Sequence, residues 1–297
     1  MEANNNTLIG IDLGGTKVAA GKVIGNKLES VICRLIPSAS TKVEDTLNLI
    51  KEVIKELGFD DVAGIGIGVP GLVDRESGIV YDFQNIPAWT EVELKSLLEA
   101  EFNIPVFIDN DANCFALGEY RFGSHKGIDD FVGLTLGTGM GGGIIKNGSL
   151  LSDANCASGE FGNISYLNSI YEDYCSGKFF INKYHQSGQI VAAEAERGDK
   201  WAIDAFAEFG GHLGKAIQTI KHAVDPRAII IGGSVAKSRK LFETFMWKTI
   251  LEFPFPKALK DFDVMFSDTE NVAILGAASL FYNEPESKTI NQINILS

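Results

Sequence analysis

One stretch of the chain, from Pro105 to Asn113, carries the residue types that acid–base chemistry requires. Its first residues are typical of a buried strand, and two carboxylates and two amides follow directly. A helix is predicted from Ala112 to Phe122, with Asp111 placed to cap or begin it. Because open α/β sheets bind ligands at the carboxyl ends of their strands, Asp111 is a candidate general base, and Asn110 could orient a hydroxyl-bearing substrate. The alternative is that residues 109–113 are only turn and cap residues.

A glycine-rich turn near the start of the chain is suited to binding phosphate. It lies between the predicted strands Thr7–Asp12 and Val18–Ile24, so it is the turn of a hairpin and not a P-loop, which must open a helix. Its residues, which offer unobstructed backbone N–H groups, a hydroxyl and an ammonium, are Gly14, Gly15, Thr16 and Lys17. Asp12, just before the turn, is a candidate to hold Mg²⁺ through a water molecule.

Residues 131–148 repeat the pattern of this hairpin. When the two segments are aligned, Gly10 falls on Gly133, Leu13 on Leu136, Gly14 on Gly137 and Gly25 on Gly148. The repeat predicts two similar domains, each with a phosphate-binding hairpin. The alternative is two ordinary hairpins, but interior glycine weakens a strand, so the six glycines between residues 133 and 143 favour a functional reason. A third glycine turn, Gly232-Gly233-Ser234, follows a predicted strand and is suited to lying flat against a nucleotide.

The remaining pattern supplies the elements that must position these turns. Gly66 to Gly71 spells G-x-G-x-x-G, but a turn rather than a helix is predicted after it, so its glycines are expected to let a ligand or a neighbouring backbone come close. Two polar loops, residues 158–163 and 171–177, carry candidate sugar ligands. The other predicted elements are a strand over residues 62–69 and helices over 43–57 (opened by a capping box from Thr41 to Glu44), 90–102, 200–224, 241–253 and 272–281.

Charge and composition limit the partners and the compartment. The chain has 297 residues with 26 Lys+Arg against 39 Asp+Glu, and the net charge of −13 argues against a nucleic-acid or anionic-membrane partner. It begins without the charged and apolar regions of a signal peptide, and no apolar run approaches the roughly 18 residues of a membrane span. The four cysteines are scattered and the four histidines show no metal-binding spacing. These features predict a soluble, acidic, cytoplasmic protein.

Four motifs occur in order: Asp12 to Lys17, Asn110 to Asn113 with Gly118-Glu119, Gly137 to Gly143, and Gly232-Gly233. Together they resemble the ROK family of sugar kinases and sugar-responsive repressors, within the actin/hexokinase-like ATPase superfamily. The resemblance implies an α/β fold in which two actin/ribonuclease H-like domains flank an ATP and sugar cleft. The expected domains are residues 1–119, joined by a C-terminal helix over 272–284, and residues 120–271.

The same resemblance implies roles for individual residues. Asp111 matches the catalytic base. The positions that match sugar contacts are Gly71, Asn85, Asn110, Glu160 and Glu172. The expected ATP site consists of Asp12, Gly14, Gly15, Thr16, Lys17, Gly137, Thr138, Gly139, Gly232, Gly233 and Ser234. The implied cofactors are ATP and Mg²⁺, and the implied reaction transfers the γ-phosphate to a hexose hydroxyl, usually at C6.

One departure from the family pattern affects both metal content and specificity. Asn163 stands where family members have a histidine that serves the sugar and a structural zinc, and no cysteine lies between Asn163 and Glu172. We therefore expect no zinc, since too few nitrogen and sulfur ligands remain, and Asn163 is expected to contact the sugar through its amide. The hexose is left open, with glucose first, followed by N-acetylglucosamine or N-acetylmannosamine, mannose or fructose.

Two other functions fit the same family resemblance. A sugar-responsive repressor needs a DNA-binding segment before the kinase fold, whereas 11 residues precede Asp12 here. A non-catalytic, sugar-binding regulatory protein would not need Asp111, Thr16 and Thr138, all of which are present. The expected partners are a small sugar and ATP, with no nucleic acid and no membrane. The family resemblance also implies a possible homodimer.

Overall fold

The computed structural model describes residues 6–36, 42–81, 89–125, 127–153 and 157–283. The strands are β1 (Thr7–Leu13), β2 (Lys17–Ile24), β3 (Lys27–Leu35), β4 (Val62–Val69), β5 (Leu72–Asp74), β6 (Ile79–Tyr81), β7 (Glu91–Val92), β8 (Val106–Asn110), β9 (Phe131–Leu136), β10 (Met140–Lys146), β11 (Ser149–Leu150), β12 (Ser165–Tyr166), β13 (Ser169–Ile170), β14 (Ala228–Gly232) and β15 (Asp263–Phe266). The α-helices are α1 (Val43–Leu57), α2 (Leu94–Phe102), α3 (Asp111–Phe122), α4 (Tyr171–Cys175), α5 (Gly177–Tyr184), α6 (Gly188–Glu196), α7 (Lys200–Val224), α8 (Arg239–Ile250) and α9 (Val272–Ser279). Short 3-10 helices lie at Phe161–Asn163, Val235–Ser238, Pro256–Leu259 and Leu280–Tyr282.

The first sheet has the strand order β3-β2-β1-β4-β8. β1 pairs antiparallel with β2, as the predicted hairpin requires, and parallel with β4, which pairs parallel with β8. Alternate residues of β1 and β4, such as Ile9 and Ile65, belong to a buried cluster that includes Ile50 of α1 and Leu98 of α2. Because side chains alternate along a strand, the intervening residues face the other side of the sheet.

Helix α9 covers that other side at the distance of backbone contact. A Cβ atom on Gly66 would lie 1.8 Å from the carbonyl oxygen of Ala277, and one on Gly10 would lie 2.0 Å from that of Ile274. Only glycine allows the helix backbone to approach the strands so closely. The G-x-G-x-x-G pattern therefore serves helix packing at Gly66, as expected for glycines that admit a neighbouring backbone.

The second sheet repeats this arrangement with the order β11-β10-β9-β14-β15. β9 pairs antiparallel with β10 and parallel with β14, which pairs parallel with β15. Each sheet thus begins with an antiparallel hairpin whose first strand is followed, in space, by two parallel strands. The internal repeat predicted from the glycine pattern is confirmed at the level of strand order.

The chain divides into two compact units. The first unit comprises residues 1–127, 149–158 and 269–297, and the second comprises residues 128–148 and 159–268. The core of the second unit contains α7, whose inward residues Phe206, Phe209 and Leu213 are fully buried. The domain limits predicted from the sequence stay a prediction. Of the described helices, none has both the length and the hydropathy that crossing a bilayer requires.

Several element boundaries differ from the sequence-based expectation. Helix α2 begins at Leu94 rather than Thr90, because Glu91 and Val92 are held extended by pairing with β6. Helix α1 begins at Val43 with Lys42 as its N-cap and without a side-chain cap, while Thr41 of the expected capping box lies outside the described residues.

Two more predicted elements change in the second unit. Residues 171–177, expected to form a polar loop, instead form α4 and the start of α5. Helix α8 ends at Ile250 and not at Phe253.

Candidate active site

Three adjacent strands of the first sheet end at one place and gather the polar residues there. Asp12 of β1 pairs with Gly68 of β4, and Gly68 pairs with Asp109 of β8. A Cβ atom on Gly68 would lie 3.0 Å from Sγ and 3.2 Å from Cβ of Cys114, so glycine at this position lets α3 pack closely against β4. The polar cluster thus lies at the carboxyl ends of parallel strands, where open α/β sheets bind ligands.

Asn110 and Asp111 form the junction between β8 and α3. Asn110 is the N-cap of the helix, and its side-chain oxygen accepts a hydrogen bond from the N–H of Ala112 at 2.9 Å. Its amide nitrogen donates to the carbonyl oxygen of Gly71 at 3.1 Å, where φ is +110°. Asp111 is the first helical residue, is half-buried, and also accepts from Ala112 N–H, at 2.8 Å. The position is favourable for a negative charge, because backbone N–H groups and the helix dipole converge at a helix N-terminus.

Asp109, which one interpretation of the sequence treated as a turn residue, is a buried carboxylate that accepts three hydrogen bonds. Its side chain is 2% exposed, and Oδ2 accepts a hydrogen bond from Nε of Arg75 at 2.8 Å. Its Oδ1 accepts from the N–H of Asn110 at 2.7 Å and from Nδ2 of Asn113 at 2.8 Å. The turn-only interpretation is wrong for this carboxylate, which fixes the backbone that leads into Asp111.

Arg75 extends this network within the first unit. Its NH1 donates to Oδ1 of Asp153 at 2.9 Å, and Asp153 Oδ2 accepts from the N–H of Ser158. Residues 75 and 109 are 34 positions apart, and no local pattern in the sequence links them. Arg75 therefore could not be assigned to the site from spacing.

Asp12 and Asp111 lie around a buried thiol together with Asp109. Burial raises the pKa of Cys114 far above its ordinary value. The carboxylates of Asp109, Asp111 and Asp12 raise it further, which places all three within electrostatic reach of this thiol. Burial also raises the pKa of Asp12, and the ammonium of Lys17 opposes part of that rise. Cys114 is thus a buried thiol with the character of a structural residue, while the half-buried Asp12 carries carboxylate oxygens of the type that bind Mg²⁺.

The second unit carries the other glycine turns. Residues 137–139 form the turn between β9 and β10, and Gly233, which directly follows β14, has a φ of +90°. A Cβ atom on Gly233 would lie 2.4 Å from the carbonyl oxygen of Leu136, and one on Gly137 would lie 4.0 Å from Oγ of Ser234. The two turns predicted to bind the nucleotide are therefore neighbours.

A polar cluster in the same unit contains the predicted sugar ligands Glu160, Asn163 and Glu172. Nδ2 of Asn163 donates to Oε2 of Glu160 at 2.8 Å. Burial is the main cause of the raised pKa of Glu160, and the carboxylate of Glu172 adds to it while the Asn163 amide opposes it. Lys178, which the sequence analysis did not consider, forms an ion pair with Oε1 of Glu172 at 2.5 Å.

The predicted site residues thus fall into two groups. The first unit holds Asp12, Gly14, Gly15, Thr16, Lys17, Gly71, Asn110 and Asp111, and the second holds Gly137, Thr138, Gly139, Glu160, Asn163, Glu172, Gly232, Gly233 and Ser234. Asn85 lies outside the described residues. Within the described ranges, no three His, Cys, Asp or Glu side chains are grouped as a metal site would require. The expected absence of zinc and the role of Asp12 toward Mg²⁺ stay predictions.

Known proteins share the sequence and the architecture of this chain. The sequence matches the profile of the ROK family over residues 8–284. A glucokinase of Thermotoga maritima is 31% identical over 306 aligned residues, covering 92% of this chain and 96% of that protein. An N-acetyl-D-glucosamine kinase of Salmonella arizonae is 31% identical over 255 residues, covering 76% of this chain and 84% of that protein.

A solved structure agrees with these relatives. The ROK family glucokinase of Streptomyces griseus, in complex with glucose and AMPPNP, matches with a TM-score of 0.81 and 28% identity, covering 93% of this chain and 99% of that one. The fold is therefore the mixed α/β fold of the actin/hexokinase-like sugar kinases. The chain belongs to the ROK family, and the resemblance drawn from its motifs is confirmed.

Proposed function

We propose that this protein is an ATP-dependent hexose kinase that transfers the γ-phosphate of ATP to the 6-hydroxyl of a hexose, with glucose as the first candidate. The observation that carries the proposal is the junction of β8 and α3, where Asp111 begins the helix beside the capping amide of Asn110. This pairing supplies one proton acceptor and one hydrogen-bonding group at the end of a strand. The similarity to the Thermotoga maritima glucokinase, and to the Streptomyces griseus glucokinase in complex with glucose and AMPPNP, supports the same reaction class.

In this proposal the side chains position the reactants and carry one proton. Asp111 accepts the proton of the 6-hydroxyl while the hydroxyl oxygen of the sugar bonds to the γ-phosphorus. The bond from that phosphorus to the bridging oxygen of ADP breaks at the same time. The N–H groups of the two glycine turns stabilise the phosphate oxygens. Bound Mg²⁺ would neutralise phosphate charge, and Asp12 offers it a half-buried carboxylate near Lys17. One carboxylate with water and phosphate ligands is the usual environment of Mg²⁺ at such sites.

N-acetylglucosamine is the second candidate substrate. The N-acetyl-D-glucosamine kinase relative has the same 31% identity as the glucokinase, over 76% of this chain against 92%. Asn163 offers an amide beside Glu160, which gives the cluster both a donor and an acceptor for a substituted sugar. A coupled ADP-release assay over glucose, N-acetylglucosamine, N-acetylmannosamine, mannose and fructose separates these substrates by kcat/KM. Sugar binding without turnover of any of them would instead support a regulatory protein.

Replacement of Asp111 by asparagine tests the role of the base. The amide keeps the size of the side chain but cannot take the hydroxyl proton, so kcat should fall about 10²–10⁴-fold. Sugar affinity measured by calorimetry should change far less. Asp61→Asn is the matched control, since Asp61 lies just before β4, is 61% exposed and pairs with Lys22. A fully active Asp111→Asn enzyme would remove the base assignment.

A further inference from the structure

The turn between β9 and β10 is held from one side by the junction of α4 and α5. Three hydrogen bonds join them: the N–H of Gly177 donates to the oxygen of Gly137 at 2.8 Å, Oγ of Ser176 donates to the oxygen of Thr138 at 3.0 Å, and Oε2 of Glu172 accepts from the N–H of Met140 at 3.0 Å. Gly137 and Thr138 of the turn and Met140, the first residue of β10, are bonded across this contact. Residues 137–140 are hereafter the phosphate turn.

Ser176 is the centre of this contact. It is fully buried, and its single hydroxyl proton is shared between two carbonyl oxygens, that of Glu172 at 2.7 Å and that of Thr138 at 3.0 Å. It also caps α5, because Oγ accepts a hydrogen bond from the N–H of Lys178 at 3.1 Å. The hydroxyl therefore has a cap function within its own helix and a separate function toward the phosphate turn.

The contact determines where the N–H groups of the turn point. In a planar trans peptide the C=O of one residue and the N–H of the next point in opposite directions. Since the oxygens of Gly137 and Thr138 are bonded to the α4–α5 junction, the N–H groups of Thr138 and Gly139 are aimed away from it. Two adjacent N–H groups aimed to one side form the kind of concave donor pair that binds phosphate.

The carboxylate of Glu172 completes the arrangement. Its Oε2 accepts from Met140 N–H, and its Oε1 is bound by the ammonium of Lys178 at 2.5 Å. A Cβ atom on Gly139 would lie 2.5 Å from Oε2, so the glycine allows the carboxylate to lie directly under the turn. Glu172 thus has a structural role toward the turn besides the sugar contact predicted for it.

We propose that Ser176 is a positioning residue. Together with Glu172 and Gly177, it holds the phosphate turn so that the N–H groups of the turn face the phosphates of the nucleotide. The proposal rests on the proposed kinase function and adds to it a residue that touches neither substrate. Its consequence is specific: weakening this contact should lower affinity for the nucleotide phosphates and leave sugar affinity nearly unchanged.

The test compares two serine caps of the second unit. Ser187 caps α6 by accepting from the N–H of Ile190, a bond within its own helix, so Ser187→Ala removes a cap without touching the phosphate turn. Ser176→Ala removes a cap and the bond to Thr138. Ser176→Ala should lose more thermal stability than Ser187→Ala, because Ser176 is fully buried and the cap bond of Ser187 is exposed. Only Ser176→Ala should raise KM for ATP and the Kd for AMPPNP, by about tenfold, the effect of misaligning roughly one hydrogen bond to the phosphates.

Two further substitutions separate capping from positioning even if the alanine variant folds poorly. Glycine is almost as good an N-cap as serine, so Ser176→Gly should lose less thermal stability than Ser176→Ala and still weaken AMPPNP binding. Ser176→Thr keeps the hydroxyl and should restore nucleotide affinity relative to the glycine variant. The proposal is overturned if AMPPNP binds to Ser176→Gly as tightly as to the wild type, or if KM for the sugar rises as much as KM for ATP.

Calorimetry with AMPPNP keeps this proposal distinguishable from the proposed function. If the wild type binds no adenine nucleotide, both are overturned. If the wild type binds AMPPNP and phosphorylates a hexose while the Ser176 variants bind AMPPNP normally, the kinase assignment stands and the positioning role is refuted.

Discussion

Replacement of Arg75 by methionine should destabilise the protein, because it leaves the Asp109 carboxylate buried without the guanidinium that faces it. Removing one partner of a buried ion pair typically costs about 3–5 kcal/mol. Here the loss should be smaller, about 2–3 kcal/mol, for two reasons. Arg75 is itself 28% exposed, so water screens the pair, and Asp109 keeps its bonds from Asn110 N–H and Asn113 Nδ2.

The loss of folding stability in Arg75→Met should depend on pH, and the pKa of Asp109 determines in which direction. Burial already raises the pKa of Asp109, and the Arg75 guanidinium is the largest influence that lowers it. Without Arg75, the pKa of Asp109 in the folded protein rises further above its value in the unfolded chain, which is about 3.9. Between these two values the folded state binds a proton more readily, so the variant gains stability as the pH falls. Its deficit relative to the wild type should therefore be larger at pH 8 than at pH 5.

Urea unfolding followed by circular dichroism at the two pH values measures this deficit. The double variant Arg75→Met/Asp109→Asn is the decisive comparison, because it removes the buried charge together with its partner. It should be more stable than Arg75→Met and should lose the pH dependence. Asp153→Asn, which removes the other carboxylate on Arg75, should show no comparable pH dependence since Asp109 keeps its cation. Equal deficits at pH 5 and pH 8 for Arg75→Met would refute the reasoning.

Three other outcomes follow from close contacts and from composition. Gly66→Ala should prevent α9 from docking and appear as loss of soluble folded protein or a large drop in Tm, since its Cβ would lie 1.8 Å from a carbonyl oxygen of that helix; an unchanged Tm would contradict the contact. In a Cys156→Ser background, a thiol reagent should label exposed Cys33 rapidly, whereas burial and raised pKa values should keep Cys114 and Cys175 unreactive until unfolding. Purified protein should contain no stoichiometric zinc but should need Mg²⁺ for turnover; zinc retained through chelation would disprove the first expectation.

Local patterns were sufficient to predict the elements that depend on local sequence. Strand β4 and helix α7 have the predicted bounds, because an uninterrupted apolar strand and a long 3.6-residue periodicity are strong signals that end at turn residues. Helix α4 was missed because five polar and aromatic residues carry too little periodicity. The start of α2 was missed because a cross-strand pairing, visible only in the fold, keeps Glu91 and Val92 extended.

In the candidate site, too, residues marked by the local sequence could be predicted, whereas residues whose role depends on tertiary contacts could not. Asp111 and Asn110 could be singled out because strand, acid, amide and helix follow one another in the sequence. The structural role of Asp109 could not, since its ion-pair partner Arg75 is 34 residues away in a different turn. Ser176 was also invisible, because a serine in a polar segment is usually a solvated side chain, and only the fold brings it to the oxygen of Thr138.

The packing of α9 has a consequence for biosynthesis. The strands of the first sheet and α3 are complete by residue 122, but the helix that lies against Gly10 and Gly66 begins at residue 272. At translation rates of about 5–20 residues per second, the nascent chain spends roughly 8–30 s with that side of the sheet uncovered. During this interval the growing polypeptide exposes apolar strands on the ribosome. Docking of α9 against Gly10 and Gly66 is thus the step that covers this side of the sheet.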